Sequence, residues 1–325
     1  MRFGLRLPSF ALGQRTAPLT EMGAYLRRAE QLGFEVAVTI DHLLTTAPAY
    51  TCTWLEPIAL LSALAGVTER IRLGTMVLVL PLRNPVYFAK EWATLDLLSG
   101  GRSILGVGVG WHEEEFALMG VAHKERGRRM DEYLEILRAL WSGDRVSFQG
   151  RFYRFKDLTI EPKPIQHPHP PIWIGGGSQP FEKVYGQVVT NIDPVLRRIA
   201  RYADTWVPHS SATPEMVRGD WEKVRAFAKE AGRATSPTKV YSNFVYLLRA
   251  GESPETAIPH FKTFSGMDLD YWRTYYLLGE PGELVERILA RIEALGGMDW
   301  VVLNPLSFDL EQLERLATEV LPQLR

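Results

Sequence analysis

Cysteine is almost missing from this chain. Cys52 is the only one in 325 residues, which excludes an intramolecular disulfide and a cysteine-built zinc site and suits a reducing compartment. The cytoplasm is therefore the expected location. An excess of either charge is missing too: 37 Lys and Arg stand against 38 Asp and Glu, a net charge of -1. No basic face broad enough for nucleic acid follows from that balance, and no nucleic-acid partner is expected. Nowhere do about 18 apolar residues run together without a charge, so no transmembrane helix and no membrane partner are expected. Met1 to Leu7 has a polar or charged residue every second or third place and lacks the apolar core of a signal peptide. It reads as a first strand. No Pro/Gly/Ser-rich or like-charge run divides the chain, and α/β barrels reach this length as one unit, so a single domain over 1–325 is expected. With 46% hydrophobic and 23% charged residues, the chain has the composition of a globular protein with a large core.

What is present is an alternation. Short apolar, β-branched runs predict strands at Phe3–Leu7, Glu35–Ile40, Ile71–Val79, Ser103–Val109, Ile172–Gly175, Thr205–Val207, Val240–Leu248 and Trp300–Asn304. Between them, helical periodicity with charged outer faces predicts helices at Leu19–Leu32, Pro57–Ala65, Pro85–Leu98, Arg128–Trp141, Pro194–Ala203, Pro214–Ala231, Pro281–Leu295 and Leu310–Leu324. Several open on proline, whose missing N–H is not needed at the first helical position. Repeated βα units to this count fit a closed (β/α)8 TIM barrel better than an open doubly wound sheet.

Two stretches break the rhythm. Val146–Phe155, with Gln149-Gly150 between alternating runs, predicts a β-hairpin outside the main sheet. Residues 250–278 form an insert rich in aromatics, among them Phe261, Phe264, Tyr271, Trp272, Tyr275 and Tyr276. Long inserts after a strand's C-terminal end build substrate pockets in barrels; an outer packing layer or an oligomer contact is the alternative.

His42 follows an apolar strand directly, so in a barrel its imidazole stands at the catalytic rim, where it can pass a proton. Asp41 beside it can hold charge or position. The plain alternative is a loop histidine satisfied by hydrogen bonds. Gly106, Gly108 and Gly110 lie along the fourth strand and its exit, where bare backbone admits a planar ligand. This spacing is not the G-x-G-x-x-G of a dinucleotide fold. Trp111 either flanks the pocket or joins the core, and Glu114 and Glu115 read as a solvated helix start. Gly175-Gly176-Gly177-Ser178 follows the fifth strand and offers N–H groups as a phosphate cradle, or else simply a flexible turn. A loop insertion at 179–192 then separates it from Asp193-Pro194, an expected N-cap and N1 pair. A capping aspartate would compete with a phosphate for the helix N–H groups. Arg197 or Arg198 is expected to reach the phosphate unless each serves a surface salt bridge, and Ser178, Gln179 or Lys183 can share the task. His167 and His169 flank Pro168 with no third ligand in view, so no metal site is expected.

Several segments, read in order, carry a resemblance. They are Thr39-Ile40-Asp41-His42, Leu73 to Leu78, Asp96 to Arg102, Gly106 to Phe116, Gly150-Arg151-Phe152-Tyr153, Pro170 to Gly177 and Ala203-Asp204-Thr205-Trp206. Together they resemble the luciferase-like monooxygenase superfamily from the first strand to about Pro208, with most similarity to its branch that uses the deazaflavin coenzyme F420. The resemblance implies a histidine, here His42, against a flavin-type ring. It also implies a bulge at Thr75-Met76-Val77, with a non-proline cis peptide at Met76-Val77, pressing on the ring's back face. Cofactor contacts are thereby expected from Thr75, Met76, Val77, Gly108, Gly110, Trp111, Gly175, Gly176, Gly177, Ser178, Arg197 and Arg198. The implied reaction is hydride transfer between F420 and a small organic substrate. An FMN-dependent monooxygenase supplied by a partner flavin reductase is the alternative, and a non-catalytic flavin-binding protein is the third reading, against which Asp41-His42 argues. A homodimer is the assembly the resemblance implies.

Overall fold

The computed structural model describes residues 1–8, 10–11, 16–45, 51–180, 191–262 and 269–325. Eight parallel strands form its centre: β1 (Arg2–Arg6), β2 (Val36–Thr39), β3 (Arg72–Thr75, resuming at Leu78–Val79), β4 (Ser103–Gly108), β5 (Ile172–Gly175), β6 (Thr205–Val207), β7 (Thr238–Leu247) and β8 (Trp300–Pro305). Each pairs in parallel with the next, β4 pairs with β5, and β8 returns to β1, so the sheet closes on itself. This is the expected (β/α)8 barrel. Its strands are covered on both faces and read accordingly as near-continuous apolar runs, Trp300-Val301-Val302-Leu303 among them.

The helices lie where periodicity and capping put them. Pro57–Ala65 and Pro85–Leu98 match their expected spans, and the others begin or end within two residues of theirs. Asn84 accepts hydrogen bonds from the Val86 and Tyr87 N–H groups at one helix start, and Thr213 accepts from Met216 at another. The last helix departs from expectation: Leu310–Arg315 is α-helical, Leu316–Val320 widens to a π turn, and Leu321–Leu324 tightens. Pro322 closes it, because proline has no N–H to continue the α ladder. The hairpin forms from Val146–Gln149 and Arg154–Leu158. Glu132 anchors its turn by accepting from the N–H groups of Arg151, Phe152 and Tyr153.

Inside the barrel Val36, Val38, Ile104, Trp173, Val240, Trp300 and Val302 pack into a plug, with the Trp173 and Trp300 rings 5.4 Å apart. A larger apolar layer joins strands to helices. A third cluster belongs to the insert: Trp272 and Tyr276 pack on Phe244 of β7, together with Cys52. Part of that insert, Phe264 included, and Lys183 in the 179–192 loop lie outside the described residues. Among the described residues no helix is long and apolar enough to cross a membrane.

Candidate active site

Where the plug ends, the C-terminal mouth of the barrel opens into a cavity of about 350 Å³. Strand ends and the loops after them line it, and His42 is among the lining residues, with Asp41, Met76, Val77, Gly108, Gly110, Trp111 and Gly175 to Gly177. The third strand is broken between Thr75 and Leu78, and the Met76-Val77 peptide there is cis. Residues 71–79 are thus not one strand but two pieces around a bulge.

The glycines beside the bulge have a different reason from the one expected. A Cβ on Gly108 would stand 2.6 Å from Val77 Cγ2, and one on Gly175 would stand 2.8 Å from Val77 Cγ1. Both strands give up a side chain so that Val77 can sit between them. Gly108 and Gly175 therefore serve the shape of the bulge. Gly177 adopts a φ of +130°, and a Cβ there would meet Asp220 at 2.7 Å. Thr75 lies beneath the cavity rather than in its wall: its hydroxyl donates to the Gly106 carbonyl at 2.6 Å and accepts from the Gly106 N–H.

His42 is held by Glu115, a residue expected only at a solvated helix start. Glu115 Oε1 lies 3.2 Å from His42 Nδ1 and accepts from the Leu43 and Leu44 N–H groups at 2.8 and 3.1 Å. Its side chain is 1% exposed, against 9% for His42. The expected solvated helix start is thus corrected for Glu115, whereas Glu114 is exposed. Burial works to raise the Glu115 carboxyl, but the hydrogen bond and charge of His42 and the two backbone donors outweigh it and hold the group below its ordinary range. The Trp111 ring meets the imidazole edge-on, with centroids 6.0 Å apart.

Asp41 faces another way. Its carboxylate accepts from the Val79 N–H at 3.0 Å and from Arg83 at 3.1 Å on both oxygens. It ties the far side of the bulge to the second strand. Burial raises its carboxyl pKa, and Arg83 opposes the rise without cancelling it.

At the phosphate end the structure redistributes the expected roles. Ser178 gives its N–H and hydroxyl to Asp220 at 2.6 and 2.9 Å. Arg197 pairs with Glu230 at 2.8 Å and lies over the Phe227 ring. Arg198 is buried, paired with Asp131 at 2.6 Å, and donates to the Gly127 carbonyl. None of the three lines the cavity. Asp193 does not cap its helix either: it pairs with Lys223, and the helix Asp193–Tyr202 has no side-chain cap. The expected competition between Asp193 and an anion therefore disappears. Arg126 lines the cavity instead, beside Gln179, Asn191, Ile192 and Val195, and its buried Nε has no hydrogen-bond partner among the described residues. Nothing in the run Arg126-Gly127-Arg128-Arg129 singled it out.

The opposite wall carries further polar groups absent from the sequence reading: Arg6, His209, Ser242 and Asn304. His209 is half-buried, its Nδ1 lies 2.7 Å from the Ser211 hydroxyl oxygen, and desolvation lowers its pKa to about 4.

Three comparisons bear on this arrangement. The chain is 30% identical over 317 residues to an FMNH2-dependent dimethylsulfone monooxygenase of Pseudomonas putida, covering 91% of this chain and 85% of that one. Its fold matches the monooxygenase RslO1 from Streptomyces bottropensis at a TM-score of 0.79, with 24% identity and 100% of both chains covered. It also matches an F420-dependent secondary alcohol dehydrogenase at a TM-score of 0.78, with 19% identity and 100% and 99% covered. The family model described as luciferase-like monooxygenase matches residues 1–265, and the chain belongs to this family of flavin-type oxidoreductases.

Proposed function

We propose that this protein is an FMN-dependent monooxygenase that receives reduced FMN from a partner flavin reductase and oxygenates a small organic substrate in the barrel mouth. The observation that carries the reading is the cavity itself, with the Met76-Val77 bulge, the His42–Glu115 pair and the unpartnered Nε of Arg126 on its walls. Those three features fit a flat ring with a phosphate tail. The relative named for FMNH2 favours FMN over the deazaflavin. Reduced FMN would supply the two electrons that send one atom of dioxygen to water and the other to the substrate.

The chain's own residues would do the rest. Met76 and Val77 present an apolar back wall, and Trp111 with Val79 and Ile192 helps to exclude water. Arg126 would take the phosphate with a charge-assisted bond. His42 would move a proton at its ring nitrogen, while Glu115, gripping Nδ1, fixes which nitrogen faces the reaction. Asp41 would be a positioning residue through Val79 and Arg83.

Hydride transfer with F420 is the second reading, supported by the motifs that resemble the F420-dependent branch. One experiment separates the two. Purified protein is given reductase-supplied FMN or F420, with dioxygen uptake and cofactor absorbance both recorded on a panel of small substrates. Substrate-dependent uptake of one dioxygen per product with FMN supports the proposal. Tight F420 binding with anaerobic turnover and no response to FMN would overturn it.

A further inference from the structure

The side chains that fill the barrel turn polar at one step. Inward positions recur at every second residue of a strand, giving Val240, Ser242 and Phe244 on β7 and Trp300, Val302 and Asn304 on β8, with Ser242 paired to Val302 and Phe244 to Asn304. Val240, Trp300 and Val302 belong to the plug, whereas Ser242 and Asn304 stand one step above it and line the cavity. β7 lies four strands from β3 in either direction around the closed ring, so this polar step faces the bulge across the mouth.

The fold alone gives no reason for the pair. Asn304 is 2% exposed and Ser242 7%. Asn304 Nδ2 donates to Ser242 Oγ at 3.2 Å, while Asn304 Oδ1 is buried with no hydrogen-bond partner among the described residues. One neutral hydrogen bond returns no more than an unsatisfied buried acceptor costs, so an apolar pair would serve the barrel as well. With Oγ accepting from the amide, the serine hydroxyl hydrogen is left for another acceptor. Ser242 thus offers a donor and Asn304 an acceptor, side by side and both uncharged. Arg6 nearby is engaged already, its guanidinium carbon 4.1 Å over the Phe244 ring, and supplies no part of this pair.

We infer that Ser242 and Asn304 form a substrate subsite for an uncharged group that accepts and donates along one edge, as a primary carboxamide or a lactam does. Its carbonyl takes the Ser242 hydroxyl, its N–H meets Asn304 Oδ1, and the apolar remainder points toward the bulge. A carboxylate brings no N–H and sets its own charge against the amide oxygen. The inference rests on the proposed function for the direction the substrate faces, but the binding itself needs no cofactor.

The test is a binding series on the whole protein without cofactor, read by ligand-observed NMR. The probes share one short apolar chain and end in a primary carboxamide, a methyl ketone or a carboxylate, three head groups of nearly one shape. Only the carboxamide carries an N–H, so it should bind roughly ten- to a hundredfold tighter than the other two, the span set by leaving a buried acceptor unpaired. Asn304→Leu should abolish that difference without lowering Tm, because it removes an orphaned oxygen, and FMN binding read by flavin fluorescence should be kept. Ser242→Ala, the smaller change, should weaken carboxamide and ketone alike and leave the difference between them. A ketone or carboxylate that binds as tightly as the carboxamide, or an Asn304→Leu protein that still discriminates, would overturn the inference. Wild-type protein that selects the carboxamide but does not bind FMN would support the subsite and count against the flavin reading alone.

Discussion

Replacing Glu115 by glutamine perturbs one buried atom that three donors share. His42 Nδ1, Leu43 N–H and Leu44 N–H all converge on Oε1 at 3.2, 2.8 and 3.1 Å. Glutamine keeps an oxygen there but removes its charge, so each bond falls from the charge-assisted range to the neutral one, a loss of about 1 kcal/mol apiece. The summed cost is at most about 3 kcal/mol, because the amide is also easier to bury than the carboxylate. For a chain of this length that corresponds to a fall of roughly 4 °C in Tm. The sign with pH follows from the carboxyl being held below its ordinary value of 4.5. Its contribution is whole above that value and is lost as pH falls through the lower folded-state value. Thermal melts of wild type and Glu115→Gln from pH 7 to pH 3 should therefore differ at neutrality and converge in acid. Turnover should drop about ten- to a hundredfold in kcat with little change in KM, since the imidazole loses its fixed tautomer. Melts within 1 °C of one another at pH 7, together with unchanged kcat, would refute the assigned role of Glu115.

Three further outcomes are expected. Arg126→Gln should weaken FMN binding roughly ten- to a hundredfold and riboflavin binding hardly at all, read by flavin fluorescence quenching, because only FMN carries the phosphate. Gly108→Ala places a Cβ where Val77 Cγ2 stands 2.6 Å away; it should cost about 1–3 kcal/mol in denaturant melts and displace the bulge enough to weaken FMN binding. His209 is held neutral down to about pH 4 from an ordinary 6.5. Between those values the unfolded chain binds a proton that the folded chain refuses, so stability falls with falling pH by up to about 3 kcal/mol. His209→Asn should flatten that part of the stability profile.

The barrel was legible because its signals are local and repeated. Strand residues buried on both faces and helices opening on Pro57, Pro85, Pro214 and Pro281 leave their pattern in any short window of the chain. His42 was legible for the same reason, as the first histidine past an apolar strand. The Met76-Val77 peptide was legible only through the resemblance, since no residue type there announces it. Glu115 was misread because a run of three glutamates at a helix start has an ordinary solvated explanation, and only the fold brings Leu43 and Leu44 N–H groups, seventy-odd residues away in sequence, to the third of them. Arg197 and Arg198 were expected at the phosphate because they follow the glycine loop in sequence. Glu230 and Asp131, distant in the chain, claim them instead. Arg6 and Asn304 leave no signal in the sequence, because a single polar residue at a strand end looks like ordinary edge polarity until the closed barrel turns it inward.

On the proposed function, a flavin ring would lie against the bulge and beneath the imidazole. A crystal structure of the protein grown with FMN tests this most directly. The isoalloxazine should pack on Met76 and Val77, with His42 within hydrogen-bonding reach of it and the phosphate against Arg126. A ring bound elsewhere, or a phosphate held by Arg197 with Arg126 turned away, would contradict it.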